Sequence, residues 1–229
     1  MPNVDRISIP AMLCISLMTN GTMRVYQFID PDGGLTVLRT KRLRISRLDR
    51  LNDPFEFLGA NLSKREHRRA LRAMKAEIGK NRGLLCFSKS WHNPVLWGHY
   101  ARKHQGLCLG FEMSRKHLRQ VSYVSSRFEW PDELSLSFTE QVLFSKFVHW
   151  SYEDEYRAWI ALDPNEIEDG HYYFPFSEDM QLRQVLVGAE STLTRADISQ
   201  ALGAAPGDVE VFKVRAAFRS FSVVRNRNE

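Results

Sequence analysis

Two apolar runs, Leu84-Leu85-Cys86-Phe87 and Leu107-Cys108-Leu109-Gly110-Phe111, lie on either side of a segment opened by Asn93-Pro94. No other stretch limits the fold as strongly. Short, fully apolar runs read as strands covered on both faces. Asn is a good N-cap and proline suits the first helical position, so a helix is expected from 94 onward. Leu96, Tyr100 and His104 then lie along one side, and Gly106 stops the helix. Residues 84–112 therefore call for a sheet with a helix packed on it. Ser88, Asn93, Trp97, His99 and Tyr100 are set into this frame, and they are groups that a small, largely apolar cleft uses to orient a ligand.

The flanking chain is consistent with more sheet than helix. Residues 23–29, MRVYQFI, have strand composition, and Asp30-Pro31-Asp32-Gly33-Gly34 is expected to close that strand as a turn. A helical turn and a strand about 43–46 follow. In Asn52-Asp53-Pro54-Phe55-Glu56 the proline keeps Asp53 out of the helical region, giving a loop that either caps the next segment or reaches into a site. Residues 63–80 read as a helix, with a Ser63/Glu66 capping box and an apolar stripe of Ala70, Leu71, Met74 and Ile78. Gly83 is expected to break the chain before the 84–87 strand.

Beyond Ser114, a helix is expected over 116–120, a strand over 121–124, a loop over 125–137 and a helix over 138–147. Where 150–162 becomes extended, Glu155, Arg157 and Trp159 share one face, and Tyr156, Ala158 and Ile160 the other. Strands follow at 172–176, 182–187, 209–214 and 218–224, with a helix over 196–202 capped near Thr194. Many strands without regular βαβ alternation indicate an α+β fold, a mixed or split antiparallel sheet with flanking helices. At 229 residues the chain suits one α+β domain over 23–229 behind an N-terminal extension, 1–22.

Several chemistries find no support. Cys14, Cys86 and Cys108 have no CxxC spacing, and the latter two sit in apolar runs as small hydrophobes, as in a reduced cytoplasmic protein. His99 and His104 are five apart rather than the four of a helical metal pair, so no metal site is expected. GxSxG, GxGxxG and P-loop patterns do not occur. The longest apolar-leaning segment, 7–18, is interrupted by Pro10 and too short to cross a bilayer, so no membrane partner is expected. The formal net charge of +5 leans mildly toward a polyanionic partner. The basic residues between Arg39 and Arg50, and Arg65, Arg68, Arg69, Arg72 and Lys75, are where nucleic acid would bind. A solvated basic face is the plainer account.

The residues around Trp150 carry the most chemistry. Glu153 and Glu155 are two apart and point the same way if the chain is extended there, so they tune each other or pair with Arg157.

Taken together, Val25-Tyr26-Gln27-Phe28, the Asn52 to Glu56 loop, Leu85-Cys86-Phe87-Ser88, Trp97-Gly98-His99-Tyr100-Ala101, and Lys146, Trp150, Tyr152, Glu153, Glu155 and Arg157 resemble a bacterial family catalogued as domain of unknown function 2971. The resemblance covers nearly the whole chain. Its order of elements is in turn similar to the ADP-ribosyltransferase fold, especially the branch that modifies DNA bases.

That resemblance implies NAD as substrate. By analogy Glu155 is the catalytic glutamate and Glu153 orients an acceptor. Tyr26, Gln27 and Phe28 sit at the first-strand position, where such transferases often carry His or Arg. Ser88, Trp97 and Tyr100 line the cofactor, Arg44 and Arg47 bind the pyrophosphate, and Asn52 completes the set. The implied activity is mono-ADP-ribosylation of a nucleic acid or protein by a toxin or antiviral-defence effector, with an antitoxin or defence-system partner. An NAD glycohydrolase, or a non-catalytic nucleic-acid-binding module on the same fold, are the alternatives. A metal-dependent nuclease using Asp53, Glu56 and Glu155 is a third.

Overall fold

The computed structural model describes residues 21–48, 51, 53, 55–203 and 209–228. The expectations for segment 7–18, for most of the 1–22 extension and for Asn52 lie outside these residues. In chain order the first half comprises β1 (Thr22–Ile29), α1 (Pro31–Thr40), β2 (Arg42–Arg44), β3 (Ser46–Arg47), α2 (Arg65–Asn81), β4 (Arg82–Ser88), α3 (Pro94–Tyr100) and β5 (Leu107–Ser114). There follow β6 (Leu118–Gln120), β7 (Ser122–Val124), α4 (Leu136–Leu143), β8 (Ser145–Phe147), β9 (Glu155–Ala161) and β10 (Tyr173–Pro175). The chain continues with β11 (Met180–Val187), α5 (Arg195–Leu202), β12 (Glu210–Ala216) and β13 (Val223–Arg225).

The principal sheet runs β13-β12-β11-β5-β1-β4-β9-β6, with β3 also on β4. It is antiparallel except between β11 and β12, which are parallel and joined through α5. The fold is thus mixed α+β around a mostly antiparallel sheet. Its two halves meet at β1 and β4. Along its whole length β1 pairs with β5, from Thr22 opposite Ser114 to Ile29 opposite Leu107. With β4 it pairs only where Tyr26 faces Ser88.

One face of the sheet is covered from end to end. Val25, Leu85, Phe87, Leu109, Phe111 and Ala158 pack there against Val37 and Leu38 of α1 and Ile198, Ala201 and Leu202 of α5. A bulge between Leu182 and Gln184 lets Met180, Leu182, Val185 and Val187 all point to this face although their spacing breaks alternation.

The opposite face is covered by two separate groups. Leu71, Met74 and Ile78 of α2, with Phe138, Val142 and Leu143 of α4, lie over Leu84, Cys86 and Trp159 of β4 and β9. Trp97 and the following Ala101 lie over Tyr26, Phe28, Cys108, Leu186 and Phe212. Between these two covers the β1–β4 junction stays open among the described residues.

Several local expectations change. The Asp30 to Gly34 stretch starts α1: the Gly33 N–H donates to the Asp30 carboxylate at 2.9 Å, and Pro31 takes the first position. The Ser63 capping box does not form, because Lys64 occupies the N-cap and the Ser63 N–H instead donates to Asn61 Oδ1. Gly83 lies inside β4 rather than breaking the chain. A Cβ there would meet Ile45 Cγ2 at 2.3 Å, so the glycine allows Ile45 and the adjoining β3 to approach. The expected 116–120 helix is a 3-10 turn (Arg115–His117) leading into β6, and 145–147 is strand rather than helix. Glu153 ends a 3-10 turn, and Asp154 takes a left-handed conformation, so Glu153 and Glu155 are not neighbours on one extended face. The expected 218–224 strand is mostly a loop, with β13 limited to Val223–Arg225.

Candidate active site

Register alone carries three expected residues to one place. Tyr26 faces Ser88 across β1 and β4, and Ser88 faces Glu155 across β4 and β9. Directly opposite residues on adjacent strands point to the same side, so these three side chains form a row at the open junction. Gly110 continues the row on β5. A Cβ at Gly110 would come within 3.0 Å of the Tyr26 ring, so the glycine lets Tyr26 lean over β5, where its hydroxyl donates to Gln184 Oε1 at 3.3 Å.

The row opens on a cavity of about 160 Å³, lined by Tyr26, Gln27, Phe28, Ser88, Tyr100 and Glu155 among others. Its charged wall is Glu56, Lys146, Glu153 and Glu155, with Arg157 buried behind them in the same cluster. Lys146 Nζ donates to Glu153 Oε2 at 2.6 Å and lies 3.4 Å from Glu155 Oε2 and 3.2 Å from Glu56 Oε1. Arg157 Nη2 donates to both Glu56 oxygens at 2.8 and 2.9 Å, Nε to Glu155 Oε1 at 2.7 Å, and Nη1 to the Leu143 carbonyl at 2.8 Å. The Tyr100 hydroxyl donates to Glu153 Oε1 at 2.5 Å, linking α3 to the same cluster.

Burial favours the neutral forms of these groups, yet the ion pairs outweigh it. For Lys146, burial works against the ammonium, but Glu155, Glu56 and Glu153 together hold its pKa above the ordinary lysine value. Arg157 is likewise held above its usual value against burial by Glu155 and Glu56. Burial would raise Glu155, but the Arg157 guanidinium and Lys146 hold it below the usual glutamate value. The Glu155 N–H donates to Tyr123 Oη at 2.8 Å, and burial pushes the Tyr123 hydroxyl up to about 12. Burial also raises the Cys86 thiol well above its ordinary value, with Glu155 adding to the effect.

The two expected carboxylates differ in how full they are. A carboxylate has about four acceptor positions. Glu155 receives Arg157 Nε, Arg157 Nη2 and Lys146, three of its four positions. Among the described residues, Glu153 receives Tyr100 and Lys146 and keeps acceptor positions open.

The other expected residues divide. Tyr26, Gln27, Phe28, Ser88 and Tyr100 do line the cavity. Gln27 alternates with Tyr26 and Phe28 and shares the Val25 side of β1. Its Oε1 is buried without a hydrogen-bond partner among the described residues. Trp97 does not line the cavity: it is fully buried behind it, edge-on to Phe28 at 5.3 Å, and its Nε1 donates to the Trp91 carbonyl at 2.7 Å. Arg44 and Arg47 do not reach it either. They border a separate small hollow beside His171 and Tyr172, because Arg44 alternates outward from Leu43 and Ile45, which take the core side. Asn52 lies outside the described residues.

Glu56 and Lys146 also border a second, larger cavity of about 360 Å³, walled by Phe55, Phe147, Trp150, Val124 and Arg127. Lys146 Nζ sits 4.7 Å above the Trp150 ring on that side. Among the site residues named from sequence, Lys146 lacked a stated role. Its signal was present, as one lysine inside the apolar stretch Val142 to Trp150. Tyr123 gave no such signal.

Among the described residues, no group of three or more His, Cys, Asp or Glu side chains is arranged to hold a metal ion. Within the cluster itself, the Lys146 ammonium and Arg157 guanidinium take the place between the carboxylates that a cation would need. No helix among the described residues is long and apolar enough to cross a membrane. No protein-family model, curated protein or solved structure matches the chain.

Proposed function

We propose that the chain is an NAD-dependent mono-ADP-ribosyltransferase of the family it resembles, on an ADP-ribosyltransferase-like split sheet. The observation that supports this most is the charge of the cavity wall. Among the described residues, Glu56, Glu153 and Glu155 face Lys146 and Arg157, three carboxylates against two cations, which leaves one formal negative charge. Breaking the bond between nicotinamide and ribose develops positive charge on the sugar, as glycoside cleavage does. A fixed, buried excess of negative charge favours that state, and its geometry is already set by ion pairs.

The residues fit NAD in two further respects. A cavity of about 160 Å³ is below the ~300 Å³ typical of sites that enclose a drug-sized ligand. It suits a ring and part of a sugar, with the adenosine portion outside. Past Tyr26, β1 has no strand partner on its β4 side among the described residues, and this strand edge is where the nicotinamide carboxamide would hydrogen-bond.

In this reading Glu153, with more acceptor positions open, receives the ribose hydroxyl, and Tyr100 and Lys146 hold its carboxylate in place. Glu155, named first from sequence, secures Lys146 and Arg157 and supplies charge rather than contact. Nicotinamide leaves with the electron pair of the broken bond, and the acceptor attacks the sugar from the open side and loses its proton. A nucleic-acid or protein acceptor, a cytoplasmic setting and a toxin or defence role with a dedicated partner are parts of the same proposal. Water as acceptor would give a glycohydrolase at the same site.

The deciding experiment incubates purified protein with NAD labelled separately in nicotinamide and adenine, with DNA, RNA or a cell extract as acceptor. Nicotinamide release, with transfer of the adenine label to one acceptor class, is expected. No release with any acceptor, or equal release by Glu153→Gln, would refute the reading.

A further inference from the structure

The β12–β13 connection is a second surface, independent of the cavity. The expected strand over 218–224 is instead a short tip, Phe218-Arg219-Ser220-Phe221, on a fixed base. The Ala217 N–H donates to the Ser222 carbonyl at 2.8 Å, Ala216 pairs with Val223, and the Val223 N–H donates to the His92 carbonyl at 2.8 Å. The His92 ring bonds the Val223 carbonyl at 2.7 Å, which ties the hairpin to the loop before α3. On this base two phenylalanines stand in solvent, Phe218 at 87% and Phe221 at 103% exposure, the largest values among the large hydrophobic side chains described.

Arginines lie beside these rings. The Arg215 guanidinium lies 4.1 Å from the Phe218 ring centroid, and Arg219 is exposed between the two phenylalanines. Among the described residues, Glu190 is the carboxylate that borders the adjoining hollow, and Glu210, at the far end of β12, is paired with Arg225. That hollow, about 680 Å³, lies beside the tip and is bordered by Pro94, His104 and Ala189.

We infer that this tip binds single-stranded nucleic acid, with bases stacked on Phe218 and Phe221 and phosphates on Arg215 and Arg219. Exposed aromatic faces interleaved with arginines are the composition that single-strand binding uses, because every base offers a π face and every linkage a negative charge. Two other occupants fit less well. A bilayer would need a continuous apolar face, whereas Arg219 and Ser220 separate the rings. A second copy meeting this one about a twofold axis would bring Arg215 and Arg219 against their own equivalents.

The test uses the full chain without NAD, so its outcome is separate from that of the transferase proposal. Anisotropy of a fluorescein-labelled oligodeoxythymidylate of about 12 nucleotides is titrated over a salt series. The wild-type protein is expected to bind with salt-dependent affinity. Phe218→Ala with Phe221→Ala should weaken binding by about 5- to 150-fold per ring with the salt slope unchanged. Arg219→Ala should make the slope shallower by about 0.7. Both changes are on exposed side chains, so melting should match wild type. Absence of wild-type binding, or unchanged affinity in the double phenylalanine variant, would overturn the inference. The same holds if affinity is lost instead in Arg69→Ala with Arg72→Ala on α2. It is overturned too if the phenylalanines prove to govern only binding to phosphatidylserine vesicles or dimerisation by light scattering.

Discussion

The Tyr100 hydroxyl donates to Glu153 Oε1 at 2.5 Å, joining the end of α3 to the 3-10 turn that leads into β9. This bond crosses the open junction between the two halves of the sheet. Beside it, Asn93 Nδ2 donates to the Tyr152 carbonyl at 2.9 Å and His99 Nδ1 lies 3.2 Å from Tyr152 Oη, so α3 holds the same turn at three points. The carboxylate with more acceptor positions open is therefore also the one positioned from both sides of the cavity.

Glu153→Gln should lower nicotinamide release by about 100-fold or more, the size of effect expected when a preorganised transition-state contact is removed. Tyr100→Phe keeps the carboxylate but frees its orientation, and should cost about 10-fold in kcat with a smaller change in KM. Steady-state kinetics on both variants check this. If Tyr100→Phe raises KM alone, Tyr100 contributes binding and not alignment.

Arg157 is 1% exposed and donates to two glutamates and one carbonyl. Truncating one partner of a buried pair leaves the others uncompensated, so Arg157→Ala should destabilise the protein by about 3–5 kcal/mol. Arg157→Lys should recover little, since one ammonium cannot reproduce a fork that meets Glu56, Glu155 and the Leu143 carbonyl together. Urea denaturation of both variants reads this directly.

Stability should be highest between about pH 5 and pH 8, because the buried Cys86 and Cys108 thiols, raised in the folded state, begin to cost stability above the unfolded thiol value of about 8.5. Glu155 has its pKa lowered in the folded state, so its contribution is present above the unfolded value near 4.3 and fades as pH falls through the folded value. Lys146 has its pKa raised, so its contribution is full below about 10.4 and fades as pH rises through the folded value. Urea midpoints measured across pH should show both limbs, and Glu155→Gln should flatten the acid one. An acid limb identical in the variant would assign it to other carboxylates.

Trp97 stands behind the cavity and not in it. Trp97→Ala should cost about 3–5 kcal/mol through the void it leaves, together with loss of the bond to the Trp91 carbonyl. Trp97→Phe should retain most NAD turnover while lowering the melting temperature. Loss of NAD binding in a Trp97→Phe protein that melts normally would return Trp97 to the wall of the site.

Much of the framework was legible in local residue order. Asn93-Pro94 does cap and start α3, the 84–87 and 107–111 runs are central strands, and Thr194 with Asp197 forms a capping box at α5. These features depend on backbone groups a few residues away, which local patterns encode. Local reading failed where a distant contact decided the outcome. Gly83 looked like a breaker, but serves close packing against Ile45. Trp97 looked like a stacking residue, but is buried against Phe28.

Local sequence therefore determined the strand–helix–strand frame and marked Tyr26, Ser88, Tyr100, Glu153 and Glu155 as polar groups within it. Only the tertiary structure decided that, among the described residues, Glu155 meets three donors and Glu153 two, and that Lys146 lies between them. The reason is distance along the chain: Arg157 meets Glu56 across 101 residues and Tyr100 meets Glu153 across 53. Whether a buried carboxylate is free to act depends on how many donors reach it, and those donors are gathered by strand register and helix placement rather than by neighbours in sequence.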